Sequence, residues 1–191
     1  MTKKTNKIFI ISGPSGVGKT SVAKGVLKKL PFLKTTLTYT TRTKRLGKKE
    51  DKTIIHISEE EFRSKVATND FLEWAVVHNN LYGTDAKFVK QELKKNSLLM
   101  NIDVQGALQI KKKMPEETIL VFLKPENVKI LAKRIIQREK MPAAILEIRL
   151  KNAKKEMALA KKYDYIITNK TGQLKATVKE VMAIIDQNTK S

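Results

Sequence analysis

The sequence predicts an α/β fold of three layers, in which helices cover a central parallel sheet that carries an inserted β-rich subdomain and a helical lid. Short apolar runs rich in β-branched residues recur along the chain, and amphipathic helical patterns separate or follow them. This alternation is lost between residues 35 and 83, which indicates the insertion. At 191 residues the chain has the size of one compact domain.

Four apolar runs are predicted to form the central strands, because each is short, continuous and bounded by polar residues. They are residues 8–11, 98–102, 118–123 and 165–168. Four helices are predicted from apolar residues that repeat every three or four positions. These residues are Val22, Val26 and Leu30; Val128, Leu131 and Ile135; Leu146, Leu150, Ala153 and Met157; and Leu174, Val178, Val181 and Ile185.

The insertion and the lid are predicted from departures from this rhythm. The segments TTLTYTTR, TIIHIS and FLEWAVV resemble strands, and one short helix is expected among them at residues 59–66. The basic stretch 134–149 contains Pro142, which is placed to begin a helix. We therefore expect one domain over residues 1–191, with a core of residues 1–34, 84–124 and 156–191, an inserted subdomain of residues 35–83 and a lid of about residues 125–155.

The composition limits the chemistry. Thirty-nine Lys and Arg against nineteen Asp and Glu give a net charge of +20, which predicts attraction to nucleotides, nucleic acid or anionic membranes without choosing among them. Many of these lysines are equally well explained as solvated helix faces. The chain has no cysteine and two histidines, which argues against disulfide, thiolate and zinc chemistry. The apolar run at residues 8–11 is too short for a signal peptide or membrane span, so a cytoplasmic location is expected.

The segment GPSGVGKT, residues 13–20, is the strongest functional signal in the sequence. It matches the P-loop pattern, follows a predicted strand and precedes a predicted helix. Its glycines let backbone N–H groups point at phosphate oxygens, Lys19 would place a cation on the β and γ phosphates, and the Thr20 hydroxyl is the expected Mg²⁺ ligand. A nucleoside triphosphate site follows, but hydrolases, GTPases, motors and small kinases all share it.

Further segments resemble the guanylate kinase family, and the resemblance runs from about residue 8 to residue 185. The matching segments are TTRTKR at 40–45, FLEWA at 71–75, YGT at 82–84, IDVQGA at 102–107 and DYIITN at 164–169. The resemblance implies a P-loop kinase in which residues 35–83 form a GMP-binding subdomain. It also implies transfer of the γ-phosphate of ATP to GMP and dGMP, with release of ADP.

Two arginines are candidates for the acceptor phosphate. Arg42 and Arg45 lie three residues apart and carry planar guanidinium groups suited to a phosphate. Taken alone, they could equally be solvated side chains in a basic stretch. The resemblance implies that both bind the phosphate of GMP.

Glu73 is a candidate for reading the base. It sits between Leu72 and Trp74, where an ionised carboxylate is costly unless it is paired. The N1–H and N2–H₂ groups of guanine would pair with it, and adenine offers no such donors on that edge. The alternative is an outward Glu73 in a half-buried strand.

The resemblance also implies individual site residues. For ATP they are Gly13, Pro14, Ser15, Gly16, Val17, Gly18, Lys19, Thr20, Ser21, Arg134 and Asn169. For GMP they are Thr38, Arg42, Arg45, Glu73, Tyr82, Thr84 and Asp103. The expected catalytic cations are Lys19, Arg42, Arg138 and Arg149, of which the last two would belong to the lid. Thr20 would hold Mg²⁺ together with water and the ATP phosphates.

Three departures from the family pattern keep other functions open. Ile54 stands where the family has a tyrosine that binds the GMP phosphate, Asn101 stands where it usually has an acidic residue, and no glycine follows Arg138. One alternative is a binding module for an acidic or nucleic-acid partner that has lost turnover, and another is a P-loop enzyme with a different acceptor. For the leading hypothesis we expect no membrane and no specific nucleic-acid partner. Monomer and homodimer both stay open.

Overall fold

The computed structural model describes residues 6–44, 53–77, 79–138 and 141–189, and its strands and helices alternate along most of the chain. The strands are β1 (Ile8–Ser12), β2 (Thr38–Thr40), β3 (Ile54–His56), β4 (Phe71–Val77), β5 (Asn80–Asp85), β6 (Leu98–Asn101), β7 (Thr118–Lys124) and β8 (Tyr165–Thr168). The helices are α1 (Lys19–Lys29), α2 (Glu59–Ala67), α3 (Ala86–Leu93), α4 (Val104–Lys113), α5 (Val128–Arg138), α6 (Ala143–Ala158) and α7 (Leu174–Thr189).

The central sheet has the strand order β6-β1-β7-β8, and all of its pairs are parallel. Every residue of β1 is buried. Because side chains alternate along a strand, Phe9 and Ile11 join the core on the face covered by α1 and α7, whereas Ile8 and Ile10 join the core on the face covered by α4. Helices therefore cover both faces of a parallel sheet, and the predicted α/β class is confirmed.

The parallel arrangement brings the carboxyl ends of β1 and β6 to one edge of the sheet. Ile11 pairs with Asn101 in the register of these two strands, so Asn101 lies beside the point where β1 leads into the P-loop. In open α/β sheets this edge is where ligands bind. The fold therefore places the P-loop and the end of β6 side by side.

The inserted residues form a second sheet with the order β3-β2-β5-β4. Strand β2 pairs parallel with β3 and antiparallel with β5, and β5 pairs antiparallel with β4. The three predicted strands and the short helix of this region are confirmed. The pattern does not predict β5, because its Asn80, Gly83 and Asp85 are residue types typical of turns.

The basic stretch after β7 forms the helix pair α5 and α6. Helix α6 begins at Ala143, directly after Pro142, as predicted. Helix α5 packs on the core through Leu131 and Ile135. A Cβ atom at Gly16 of the P-loop would meet the side chain of Ile135, so α5 lies directly against the phosphate-binding loop.

Two helices, α3 and α4, are absent from the sequence-based prediction. Helix α3 has only eight residues, and α4 carries Gly106 in its first turn. Helix α4 forms because the Oδ1 atom of Asp103 accepts hydrogen bonds from the backbone N–H groups of Gln105 (2.8 Å) and Gly106 (3.1 Å). Within the described ranges, no helix is both long enough and apolar enough to span a membrane.

Candidate active site

The P-loop is a tight backbone turn between β1 and α1. Gly13 has φ +139°, and a Cβ atom there would collide with the backbone carbonyl of Leu123 in β7. Gly18 has φ +103° at the N-terminus of α1, a conformation that side chains other than glycine rarely adopt. The loop therefore presents backbone N–H groups and a helix N-terminus to the same space, which is the geometry that binds phosphate.

Lys19 lies over this loop. Its Nζ atom donates hydrogen bonds to the backbone carbonyls of Gly13 (2.6 Å) and Pro14 (3.2 Å). Burial lowers the pKa of Lys19, and the carboxylates of Glu156 and Asp103 act in the opposite direction. The site thus contains a desolvated cation, whose attraction to a phosphate is stronger than that of a cation in water.

A cleft of about 1050 Å³ extends from the P-loop between the second sheet and the helix pair α5–α6. The described residues that line it include most of the predicted site residues. These are Gly13, Ser15, Gly16, Gly18, Lys19, Thr20, Ser21, Thr38, Glu73, Tyr82, Asp103, Arg134, Arg138 and Arg149. One space is therefore bordered by residues predicted for ATP, for GMP and for the lid.

Five predicted residues do not line the cleft: Pro14, Val17, Arg42, Thr84 and Asn169. Arg42 follows β2, where its backbone N–H donates to the Oγ1 atom of Thr40 (3.1 Å) and its carbonyl accepts from the Nδ1 atom of His56 (2.5 Å).

The remaining predicted ligand of the acceptor phosphate, Arg45, lies outside the described residues.

Three strands of the second sheet align the predicted purine-binding residues. In the register, Thr84 of β5 pairs with Thr38 of β2 on one side and with Glu73 of β4 on the other. The Thr84 hydroxyl donates a hydrogen bond of 2.6 Å to the Oε1 atom of Glu73. This leaves Oε2 as the second acceptor of a carboxylate that borders the cleft.

Glu73 faces inward, and the alternative of an outward Glu73 is wrong. Its exposed fraction is 3%, whereas that of its neighbour Trp74 is 41%. A register shift between Phe71 and Glu73 interrupts the alternation of the strand. Burial raises the pKa of Glu73 to about 7; the hydrogen bond from Thr84 opposes this rise, and the nearby Asp103 adds to it.

Gly106 makes room for this carboxylate. A Cβ atom at Gly106 would overlap the Oε2 atom of Glu73, so helix α4 can approach β4 only with glycine at this position. The carboxylate therefore owes its position to a close contact between α4 and β4 as well as to its own strand.

The predicted role of Glu73 is testable here: the Gly106→Ala variant is expected to raise the KM for the predicted acceptor GMP about tenfold and to leave that for ATP unchanged, since displacing Glu73 would cost a charged hydrogen bond. Steady-state kinetics with each nucleotide varied in turn would measure this. Alanine in a helix is by itself stabilising by about 0.5–1 kcal/mol, so a weakened helix would not be the cause. The control is Lys112→Ala at an exposed position of α4. An unchanged KM for GMP would contradict the role of this contact.

Asn169 and Arg134 stabilise the P-loop through hydrogen bonds. The Nδ2 atom of Asn169 donates to the carbonyl of Val17 (2.7 Å), and its Oδ1 atom accepts from the hydroxyl of Thr177 (2.9 Å). The Nη2 atom of Arg134 donates to the carbonyl of Asn169 and to the hydroxyl of Thr171, both at 3.0 Å. These contacts support the loop, and a contact of either side chain with adenine stays a prediction.

The predicted metal ligand lies at the edge of the cleft. Thr20 is exposed, and its Oγ1 atom accepts a hydrogen bond of 3.1 Å from the Nδ2 atom of Asn101. Residues 6–44, 53–77, 79–138 and 141–189 contain no group of three or more His, Cys, Asp and Glu that could hold a metal ion. The donor set fits Mg²⁺ that is carried mainly by nucleotide phosphates and water, with Thr20 as a protein ligand.

Sequence reasoning missed several residues of the cleft, above all Glu156. It is half-buried on α6, and burial raises the pKa of its carboxyl while the charge of Lys19 opposes that rise. Asn152 follows Arg149 by three residues and Glu156 follows Asn152 by four, which places all three on one face of a helix. Because Arg149 is itself a predicted site residue, this spacing is the sequence signal that indicates Glu156.

The parallel sheet, the P-loop and the cleft that adjoins it define the architecture of a P-loop kinase. The family model for guanylate kinase matches residues 5–188. The guanylate kinase of Thermotoga maritima is 39% identical over 180 residues, which cover 94% of this chain and 86% of that protein. The chain belongs to the guanylate kinase family.

Two further relatives agree with this assignment. The guanylate kinase of Prochlorococcus marinus is 38% identical over 184 residues, covering 96% of this chain and 98% of that protein. The crystal structure of guanylate kinase from Anaplasma phagocytophilum superimposes with a TM-score of 0.80 at 26% identity. That match covers 99% of this chain and 89% of the other. The similarity thus extends over nearly the whole sequence and over the fold.

Proposed function

We propose that this protein is an active guanylate kinase, which transfers the γ-phosphate of ATP to GMP and dGMP and releases ADP. Membership of the family supports the reaction. The observation that carries the proposal is that Lys19 of the P-loop and the buried carboxylate of Glu73 border the same cleft. One cleft therefore contains a cation suited to the triphosphate of ATP and a hydrogen-bond acceptor suited to guanine.

On the donor side, the P-loop backbone and Lys19 bind the phosphates of ATP. Lys19 turns from the carbonyls of Gly13 and Pro14 to the phosphate oxygens, which is favourable because its ammonium group is already desolvated. Thr20 would hold Mg²⁺, which would supply positive charge to offset the negative charge of the phosphates. Arg134 and Asn169 keep the loop in place behind these contacts.

On the acceptor side, Glu73 accepts the N1–H and N2–H₂ groups of guanine, with Thr84 holding the carboxylate. Thr38 and Asp103 complete the contacts with the base, and both line the cleft. This readout disfavours adenine, because a buried acceptor without a donor costs the full desolvation of that group.

Binding of the acceptor phosphate involves Tyr82, Arg42 and Arg45. Tyr82 already lines the cleft, whereas Arg42 does not. The proposal therefore includes a movement of the inserted subdomain, residues 35–83, toward the P-loop when GMP binds.

The helix pair α5–α6, which overlaps the predicted lid of about residues 125–155, acts as the lid. Arg138 and Arg149 line the cleft from these two helices and would stabilise the charge of the transferred phosphoryl group. Closure excludes water, which limits hydrolysis of ATP. We place this reaction in the cytoplasm.

An ADP-release assay with Mg-ATP and a panel of AMP, GMP, dGMP, UMP and CMP tests the proposal. ADP release is expected with GMP and dGMP, and more slowly with the other acceptors; for AMP the expected factor is about 10⁴, the order given by hydrogen-bond readout. The control is ATP without any monophosphate, which reports hydrolysis. Faster release with AMP or UMP, or without an acceptor, would contradict the guanine assignment. Salt-sensitive retention of RNA without kinase activity would instead favour a binding module.

A further inference from the structure

Asn101 places an uncharged amide next to the predicted metal ligand. It is the last residue of β6, and its exposed side chain lines the cleft at the carboxyl edge of the central sheet. Its Nδ2 atom donates a hydrogen bond of 3.1 Å to the Oγ1 atom of Thr20. The amide thus uses one lone pair of the oxygen that would bind the ion.

The chemistry of P-loop enzymes makes this amide unusual. In these enzymes Mg²⁺ is held by the P-loop Ser or Thr together with an Asp on a neighbouring strand. A carboxylate accepts the proton of the hydroxyl, which leaves both lone pairs of that oxygen available, and it adds negative charge. Asn101 adds no charge in either orientation of its amide. The electrostatic attraction for a divalent cation is therefore reduced at this edge.

The other carboxylates of the cleft have different partners. The Oδ1 atom of Asp103 accepts two backbone N–H groups of α4. Glu73 is held by Thr84 within the second sheet. Glu156 stands on α6, where the charge of Lys19 acts on it. Among the described residues, none of these carboxylates has a hydrogen bond to Thr20.

We propose that an uncharged residue at position 101 gives this kinase a lower affinity for the divalent cation that accompanies ATP than a carboxylate there would give, so that the ion is held mainly by the nucleotide and by Thr20. The inference rests on the proposed function, because ATP must occupy the P-loop. Asn101→Asp restores the charge, and the variant binds the ion about tenfold more tightly, at the lower end of the 10- to 100-fold effects seen for residues around a metal ligand.

Titration with Mn²⁺ tests this proposal without catalysis. Free Mn²⁺ is measured by electron paramagnetic resonance in the presence of a non-hydrolysable ATP analogue and without GMP, for the full-length protein and its variants. Asn101→Asp is expected to bind Mn²⁺ about tenfold more tightly. Asn101→Ala is expected to remain within about twofold of the parent protein, since neither residue carries charge.

A matched control separates a local effect from a general one. Asn152→Asp adds the same charge elsewhere in the lining of the cleft, on α6, and is expected to change the affinity less than about threefold. The proposal is overturned if Asn101→Asp stays within twofold of the parent protein, if Asn152→Asp tightens binding equally, or if Asn101→Ala weakens binding tenfold.

Binding of the ATP analogue itself is followed in parallel by isothermal titration calorimetry. If no variant binds the analogue, the proposed function fails at its donor site. If all bind it equally and the Mn²⁺ affinities do not differ, only the inference about Asn101 fails.

Discussion

The Glu73→Gln variant is expected to lower kcat/KM for GMP about 10³-fold and to leave the low activity with AMP unchanged. A glutamine of the same shape keeps one acceptor but turns an NH₂ group toward the donors of guanine, so at least one buried donor is left without a partner. Steady-state kinetics with GMP and AMP as acceptors at saturating ATP measure the change. The KM for ATP is expected to stay the same, because Glu73 belongs to the second sheet.

The matched control is Glu60→Gln, which removes a carboxylate at an exposed position of α2 in the same inserted region. It is expected to have the kinetics of the parent protein. If Glu73→Gln kept its preference for GMP over AMP, another residue would have to read the base.

The same carboxylate predicts a pH dependence. Burial raises the pKa of Glu73 to about 7, so in the free protein the carboxyl group is largely protonated below that pH. Guanine requires the ionised form, since N1–H and N2–H₂ both donate. The kcat/KM for GMP is therefore expected to rise with pH up to about 7 and then to level off.

Glu73→Gln should lose this rise, whereas titration of the GMP phosphate affects both proteins equally. A parallel pH profile in the two proteins would contradict the assignment.

The free energy of unfolding depends on pH in the opposite direction. A carboxyl group whose pKa is higher in the folded than in the unfolded state binds more protons when folded between these two values. The free energy of unfolding contributed by Glu73 therefore falls as the pH rises from about 4.5 to about 7. If Glu73 reads the base as predicted, the donors of bound GMP offset this loss of stability.

Patterns that lie within one short segment of the sequence predict much of this structure. The motif at residues 13–20 specifies the P-loop because its glycines, Lys19 and Thr20 act within one turn of the chain. Strands β1, β6 and β7 are predicted because they are largely apolar and largely buried, and the edge strand β8 is predicted from its β-branched residues although Ile166 is exposed. Helix α4 could not be predicted in this way, since Gly106 weakens its pattern and the reason for that glycine is a side chain on β4.

Contacts between distant segments account for what the sequence left open. The alternation of β4 was compatible with Glu73 facing inward or outward, and the register shift after Phe71 together with the room left by Gly106 decides for the inward position. Glu156 likewise acts on Lys19 only because α6 folds back over the P-loop. Such pairings depend on the tertiary structure, and neither member carries a local pattern that indicates the other.

Replacing Lys19 by alanine is expected to lower kcat about 10³-fold, because this change acts on the transfer step and not on recognition of the base. The ammonium group would follow the charge that develops on the transferred phosphoryl group, and removal of one such preorganised donor typically costs about 10²–10³-fold in kcat. Burial of Lys19 strengthens this interaction, because less water screens it. The measurement is ADP release at saturating GMP and ATP, with circular dichroism to establish that the fold is retained.

The control is Lys24→Ala, an exposed lysine in the same helix α1, which is expected to keep the parent kcat. With GMP binding measured by calorimetry, Lys19→Ala should bind GMP as the parent protein does, because the residues predicted to contact guanine lie on the second sheet. A variant that kept full kcat would show that Lys19 serves only to close the P-loop through its bonds to Gly13 and Pro14. A variant that lost kcat but kept its affinity for both nucleotides would instead show that Lys19 acts in the transition state. Its bonds to Gly13 and Pro14 would then keep the ammonium group desolvated until ATP binds.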